Sequence, residues 1–272
     1  MYLQHYFDRI GYRGDARAEL PVLFALQRAH VCAIPFENID IQLGRPVTIG
    51  VEEAYEKLVV NGRGGWCYEQ NALLGWALAE IGFDVTRMAA AVMRQERGAI
   101  AEANHLCLSV RCPAASEAYL VDAGFGGSMI KPIRLIESEY SQPPFRIGLK
   151  RLADGRWRFW EDLGSGAFSF DFVAEPANEE ALAEKCVFMQ SDPASGFVLN
   201  LVAQLRAPDQ HKSLRGRVLR NATPAGTKST TLDSADAVVA TLADQFCLDV
   251  PEVADLWPRI AARHAEYQRT KS

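Results

Sequence analysis

The chain has no cysteine pair at redox or metal spacing. Its six cysteines (Cys32, Cys67, Cys107, Cys112, Cys186 and Cys247) include no CxxC, and none stands among histidines at zinc-ligand intervals. A disulfide framework and a structural zinc site are therefore excluded, no metal is expected, and the thiols read as free in a reducing compartment. No apolar run approaches the ~18 residues of a membrane span. The start, Met1-Tyr-Leu-Gln-His-Tyr-Phe-Asp8, lacks the basic and apolar regions of a signal peptide. A cytoplasmic location is expected, which leaves the sequon Asn221-Ala-Thr without an opportunity for modification. Basic charge is not in excess: 29 Lys+Arg stand against 34 Asp+Glu, a net charge of −5, which disfavours nucleic acid and anionic membrane as partners. There is no repeat of fixed period, no low-complexity tract and no clear linker.

What is present suits a globular protein. At 272 residues, 49% of them apolar or aromatic, the chain suffices for two or three domains. The first third reads as helical, over Glu19 to Cys32, Val51 to Val60 and Cys67 to Ile81. Leu74, Ala77, Leu78 and Ile81 form one stripe there, and Gly82 stands at the C-terminal cap. From Asp84 the pattern becomes strand-like: Val85 to Met93, Asn104 to Arg111, Tyr119 to Asp122, Phe145 to Leu152, Trp157 to Trp160 and Phe168 to Val173. These strands predict an antiparallel sheet or barrel. The remainder mixes helices (Glu175 to Lys185, Ser234 to Gln245, Pro251 to Tyr267) with strands (Val198 to Leu205, Arg215 to Leu219, Ser229 to Leu232). The expected class is α+β: a helical bundle over 1–83, a β-barrel over 84–190 and an α/β lid over 191–272.

The stretch Arg63-Gly-Gly-Trp-Cys67-Tyr-Glu-Gln-Asn71 is the most informative, because two glycines lead into a helix whose first residue is a cysteine. The free N–H groups and positive dipole end of a helix N-terminus favour thiolate, and the same N–H groups hold an oxyanion. A nucleophilic cysteine needs a base and a group to orient that base. Among the five histidines, His105 lies in a strand pattern whose Leu106, Leu108 and Val110 point one way and His105, Cys107 and Ser109 the other. A hairpin centred on Pro113-Ala114 pairs Arg111 with Ser116, Ser109 with Ala118, Cys107 with Leu120 and His105 with Asp122, near enough for the carboxylate to accept from imidazole Nδ1–H. His5, His30, His211 and His264 have no comparable partner in the sequence. Asp122-Ala-Gly124-Phe-Gly126-Gly127-Ser128 is a glycine-rich loop able to approach a phosphate, although it matches neither a P-loop nor a dinucleotide motif. Arg63 and Glu37 are candidates for a buried ion pair that fixes the cysteine loop.

These residues resemble the arylamine N-acetyltransferase family. Arg63 through Asn71 meets R-G-G-aromatic-C-aromatic-E-x-N, and Ile34-Pro-Phe-Glu-Asn38 meets an upstream I/V-P-F-E-N. Asn104-His-Leu-Cys-Leu108 and Tyr119-Leu-Val-Asp-Ala-Gly-Phe-Gly126 supply the family's histidine and aspartate, and Tyr6-Phe-x-Arg-Ile-Gly-Tyr12 resembles its amino terminus. The resemblance implies a bundle, a barrel and a lid around a papain-like core, with Cys67, His105 and Asp122 catalytic. It implies that Phe36 and Phe125 line the acceptor pocket, and it leaves Gly124, Gly126 and Gly127 as the candidate cofactor contact. The implied reaction moves acetyl from acetyl-CoA to aromatic amines, hydrazines or N-hydroxyarylamines by a ping-pong route through a thioester on Cys67, in xenobiotic metabolism, by a monomer or weak homodimer. An amide synthase or a cysteine hydrolase using the same three residues with another acyl donor is the alternative, and a binding protein that has lost turnover is a third.

Overall fold

A computed structural model describes residues 1–164 and 166–271. Helices α1 (Leu3–Ile10), α2 (Leu20–Ala33), α3 (Ile39–Gln42), α4 (Val51–Tyr55) and α5 (Cys67–Ile81) fill the first third, with a two-residue strand β1 (Phe36–Glu37) between α2 and α3. The Val51 to Val60 helix is α4 continued by one π-helical turn over Glu56–Val60. Short α1 buries Tyr6, Phe7 and Ile10 and stops at Gly11, whose φ of 67° is left-handed and disfavours a side chain. Helix α5 matches the expected range at both ends. Its first turn is capped by Glu69, whose Oε2 accepts from the Trp66 N–H at 3.1 Å.

The middle of the chain forms an eight-stranded antiparallel sheet from β2 (Asp84–Val92), β3 (His105–Arg111), β4 (Ala118–Val121), β5 (Ile133–Arg134), β6 (Ser138–Gln142), β7 (Phe145–Arg151), β8 (Trp157–Asp162) and β9 (Ala167–Phe172), in the order β5-β4-β3-β2-β9-β8-β7-β6. The two edge strands are neighbours in sequence, so the sheet curls back on itself. The Gln142 amide ties the edges by accepting from the Lys131 N–H and donating to the Lys131 carbonyl, both at 2.9 Å. One face of the curl packs on the bundle through Leu108, Val110, Tyr119 and Val121. The other encloses Met88, Cys107, Leu120, Phe145, Ile147, Phe159, Phe170 and Phe172.

Strand β3 is therefore buried on both sides. The face of His105 and Cys107, which reads as the polar side in sequence, looks into the interior of the curl. The β3–β4 register also differs from expectation by two residues: Ser109 pairs with Leu120 and Arg111 with Ala118. A longer connection than the one centred on Pro113-Ala114 accounts for the slip. A slip of two preserves which face each side chain occupies, and it makes His105 and Asp122 diagonal rather than directly opposed.

Helix α6 (Arg94–Arg97) lies in the connection from β2 to β3, and helices α7 (Glu179–Ser191) and α8 (Gly196–Leu199) lead to a second antiparallel sheet of β10 (Val202–Ala207), β11 (Gln210–Arg215), β12 (Val218–Thr223) and β13 (Gly226–Thr231). The expected strand from Arg215 to Leu219 is broken in its middle: Arg215 ends β11, Val218 and Leu219 begin β12, and Gly216-Arg217 turns between them, with Gly216 at a φ of 56°. Helices α9 (Ala235–Phe246) and α10 (Trp257–Lys271) follow, and Leu242 and Phe246 of α9 and Ile260 of α10 pack under this sheet with Leu201 and Leu214. Strand β1 is its outermost member: Phe36 pairs with Gln204 and Glu37 with Ala203. Among the described residues no helix is long and apolar enough to cross a membrane.

Candidate active site

The loop before α5 is fixed from several sides. Phe36 bridges to Gly65, with the Glu37 N–H donating to the Gly65 carbonyl at 3.1 Å and the Gly65 N–H to the Pro35 carbonyl at 3.2 Å. Arg9 of α1 donates to the carbonyls of Leu58, Ala33, Gly62 and Arg63, which gives the amino-terminal motif a structural role. Under the loop, Arg63 reaches Glu37 at 2.9 Å and Asp40 at 3.3 Å, and Lys57 reaches Asp40 at 2.8 Å and Glu69 at 3.0 Å. The expected Arg63–Glu37 pair is present as part of this larger network. Its three carboxylates surround two cations, and burial pushes the Glu69 carboxyl up to about 7 against the pull of Lys57. Removing either cation would leave buried negative charge uncompensated, which is strongly destabilising.

Cys67 opens α5 and is 3% exposed. Asn71, one helical turn later, joins α5 to the sheet. Its Nδ2 donates to the Leu106 carbonyl at 2.6 Å and to Asp122 Oδ1 at 2.8 Å, while its Oδ1 accepts from the Ala123 N–H at 2.9 Å. Asp122 Oδ1 also accepts from the Gly124 N–H at 2.7 Å, and Oδ2 meets His105 Nε2 at 2.7 Å. His105 and Asp122 are each 1% exposed. The imidazole nitrogen facing the carboxylate is thus Nε2, not the expected Nδ1, and Nδ1 is left as the ring's free lone pair.

Burial and the Asp122 carboxylate push the Cys67 thiol well up, against the pull of the Tyr68 and Leu106 backbone N–H groups. The backbone donors at the start of α5 favour the thiolate but do not offset burial. The Leu106 N–H that favours the thiolate belongs to the residue after His105.

Gly124 explains how closely the two segments meet: a Cβ there would lie 2.6 Å from Cys67 Cα and 2.8 Å from the Cys67 carbonyl oxygen. Phe125 stands edge-on to His105 with ring centres 5.4 Å apart, and it stacks on Phe168 at 4.9 Å. Phe36 lies on the other side, in one apolar cluster with Trp66, Cys67 and Tyr68, its ring 6.4 Å from that of Phe197. The structure therefore gathers Cys67, His105, Asp122, Gly124, Phe36 and Phe125 about one point. Gly126 and Gly127 lie farther along and face β10: their open sides meet the Gln204 amide and the Arg206 side chain. Among the described residues no group of three or more His, Cys, Asp or Glu could hold a metal.

Both the fold and the sequence have known counterparts. A family model described as N-acetyltransferase matches residues 19–254. An arylamine N-acetyltransferase of Mycolicibacterium smegmatis is 36% identical over 96% of this chain and 98% of its own. The chain belongs to the arylamine N-acetyltransferase family. Among solved structures of the family, the M. smegmatis arylamine N-acetyltransferase superposes with a TM-score of 0.88 at 35% identity, covering 96% of this chain and 98% of that one. The Mycobacterium marinum enzyme, solved in complex with CoA, gives 0.86 at 33% identity over the same shares.

Two histidines without a partner in the sequence acquire one in this family member. His30 links Tyr6 Oη (2.9 Å) to Gln70 Oε1 (2.7 Å), and Gln70 Nε2 goes on to the carbonyls of Pro35 and Gly65. His211 Nε2 donates to the Gly126 carbonyl at 2.8 Å. Neither link is visible in sequence because each joins segments that only the fold brings together. Burial pushes both rings down to about 4. A histidine held neutral in the folded state contributes stability that is complete above its unfolded pKa of ~6.5 and is lost as pH falls toward 4. Glu69 works in the opposite direction, so the wild-type curve is flattened and the histidine contribution is read by difference. His211→Gln is expected to lose roughly 1–2 kcal/mol less stability than wild type between pH 7 and 5.5, measured by urea denaturation. Parallel curves for the two proteins would refute a buried neutral His211.

Proposed function

We propose that the chain transfers the acetyl group of acetyl-CoA to aromatic amines, hydrazines or N-hydroxyarylamines through a thioester on Cys67. The observation that carries the reading is the joint between the start of α5 and the end of β4, where Asn71 and Gly124 hold the His105–Asp122 pair against the backbone of Cys67. Family membership and a relative solved with CoA support the choice of donor.

In this reading the Cys67 proton passes to His105 Nδ1 and the thiolate attacks the acetyl carbonyl. The tetrahedral oxyanion is held by backbone N–H groups near Cys67, and its collapse releases the CoA sulfur, which takes the proton back from His105. The acceptor amine then attacks the thioester, gives its proton to His105, and leaves as the amide while Cys67 departs and is reprotonated. Asp122 fixes the ring and stabilises the imidazolium in both halves. Phe36 and Phe125 form the walls that receive the aromatic acceptor, where ring contacts add ~0.5–1.5 kcal/mol beyond area burial. Gly124, Gly126 and Gly127 serve as a backbone wall beside the donor's reacting end rather than a phosphate cradle, because Gln204 and Arg206 fill the space at the last two. A papain-like core, a bundle over 1–83, a barrel over 84–190, a lid over 191–272, a cytoplasmic setting and a role in xenobiotic metabolism complete the proposal.

Mixing the protein with acetyl-CoA is expected to give an adduct of about 42 Da by intact mass spectrometry. It should require Cys67, being absent in Cys67→Ala, and should disappear when an aromatic amine is added. An adduct that survives the substitution, or no adduct at all, overturns the thioester mechanism.

A further inference from the structure

We infer that Glu161 is a specificity-determining residue of the acceptor pocket, and that it selects aromatic amines whose end remote from the reacting nitrogen carries a hydrogen-bond donor. The inference rests on the acceptor site proposed above.

Glu161 lies on β8 two residues after Phe159, and is paired with Phe168 on β9. Alternation along β8 sends Glu161 and Phe159 to the same face, and antiparallel pairing puts Phe168 beside Glu161 on that face. The face is that of the interior of the curl, which opens toward solvent here: Phe168 is 41% exposed and Glu161 is half-buried. Phe159 is fully buried and its ring centre lies 5.7 Å from that of Phe125, while Phe168 stacks on Phe125 at 4.9 Å with planes 13° apart. Phe125 in turn touches the His105 ring. A carboxyl is thus built into an aromatic wall one ring away from His105.

One oxygen of that carboxyl is left without a well-formed partner by the fold: Oε2 is shielded from solvent and has no hydrogen-bond partner, and the same is true of Ser128 Oγ on the loop that carries Phe125. The Ser128 hydroxyl interacts with the carboxyl and favours its ionisation, although its geometry falls short of a well-formed hydrogen bond; the charged groups that face it are Asp122, which opposes ionisation, and Arg206, which favours it. Burial and Asp122 prevail and push Glu161 up to about 8. The group thus presents a solvent-shielded acceptor oxygen beside a hydroxyl that is itself poorly engaged. A buried acceptor of this kind costs free energy until something donates to it. An acceptor amine lying between Phe36 and Phe125 with its nitrogen toward Cys67 presents its far end in this direction. A site with a waiting hydrogen-bond partner discriminates strongly against a ligand that lacks the matching group.

The test compares 4-aminophenol with 4-methoxyaniline, whose ring substituents are electronically alike while only one carries an O–H. Deacylation of the pre-formed acetyl-enzyme is followed with each amine in wild type, Glu161→Gln and Glu161→Leu, and the result is the ratio of the two rate constants within each protein. That ratio cancels any general loss of activity. Wild type is expected to favour 4-aminophenol by roughly tenfold, the effect of one well-made hydrogen bond. Glu161→Gln, which keeps an acceptor oxygen, should retain most of the preference, and Glu161→Leu should lose it. A wild-type ratio near one, or an unchanged ratio in Glu161→Leu, overturns the inference even if the leucine variant folds poorly, since the first reading needs no variant. If no acetyl-enzyme forms, the acetyl-transfer reading fails and this inference falls with it; an acetyl-enzyme with flat selectivity defeats this inference alone.

Discussion

In Asp122→Asn the acetyl-thioester on Cys67 is expected to form on the order of 10³–10⁴-fold more slowly than in wild type, measured by quenched single turnover with acetyl-CoA. The size of the effect follows from how the asparagine must sit. Asp122 Oδ1 accepts from both Asn71 Nδ2 and the Gly124 N–H. An asparagine keeps those two bonds by placing its own Oδ1 there, so its NH₂ group faces His105 Nε2. The ring then has to offer Nε2 as an acceptor and carry its proton on Nδ1, which removes the lone pair that takes the proton from Cys67. Turning the amide over restores the tautomer but leaves two buried donors facing an NH₂ group, at about 1–3 kcal/mol each. Asp122→Ala separates tautomer from charge: it frees the ring and is expected to recover part of the rate. A loss of less than tenfold in Asp122→Asn would mean that His105 takes its working tautomer from elsewhere, and the assigned roles would fail.

Gly124→Ala carries the second large expectation, and its cause is steric. The new Cβ would meet Cys67 Cα at 2.6 Å, Asn71 Nδ2 at 2.7 Å and the Cys67 carbonyl oxygen at 2.8 Å. Two of those atoms belong to the backbone and cannot rotate away, so α5 and the Asp122 segment must separate by a large fraction of an ångström. Misplacement of that size at reacting groups costs about 10² in rate, while overpacking destabilises by about 1–3 kcal/mol. The variant should therefore fold, show a lowered denaturant midpoint, and lose about a hundredfold in thioester formation. Gly126→Ala clashes mainly with the movable end of Gln204, although its φ of 78° strains the new side chain. Equal losses of thioester formation in the two variants would argue against a special contact at Gly124.

Much of this was legible in the sequence, and what was not has physical causes. Helix α5 could be read to the residue, since Gly65 and Gly82 bracket a continuous apolar stripe and Glu69 stands three residues after Trp66. His105 and Asp122 were matched although the β3–β4 register was off by two, because a two-residue slip leaves both side chains on the same face. Helix α1 was not read because its eight residues make only two turns, although Tyr6, Phe7 and Ile10 share a buried face. The β11–β12 turn at Gly216 was read as strand, because the apolar residues on either side mask it. Edge strands β5 and β6 have too few apolar positions to announce themselves. Within the site, Asn71 was legible only as part of a motif, and Glu161, Ser128 and His211 not at all. Their surroundings come from segments far apart in the chain, and an unpartnered carboxyl oxygen leaves no local mark.

The placement of β1 at the edge of the second sheet bears on how the protein is made. The Val202 N–H donates to Asn38 Oδ1 across a separation of 164 residues, and Phe36, one wall of the site, pairs with Gln204. While the ribosome is still producing the middle of the chain, α5 can pack within the bundle, yet β1 then has only its bridge to Gly65 and lacks the sheet strand that flanks it in the finished fold. Contacts of such long range form slowly and late. On the proposed mechanism the nascent chain carries Cys67 through most of its synthesis beside an unfinished wall, and catalytic competence would arrive only when residues beyond 200 have emerged and closed on the oldest part of the polypeptide.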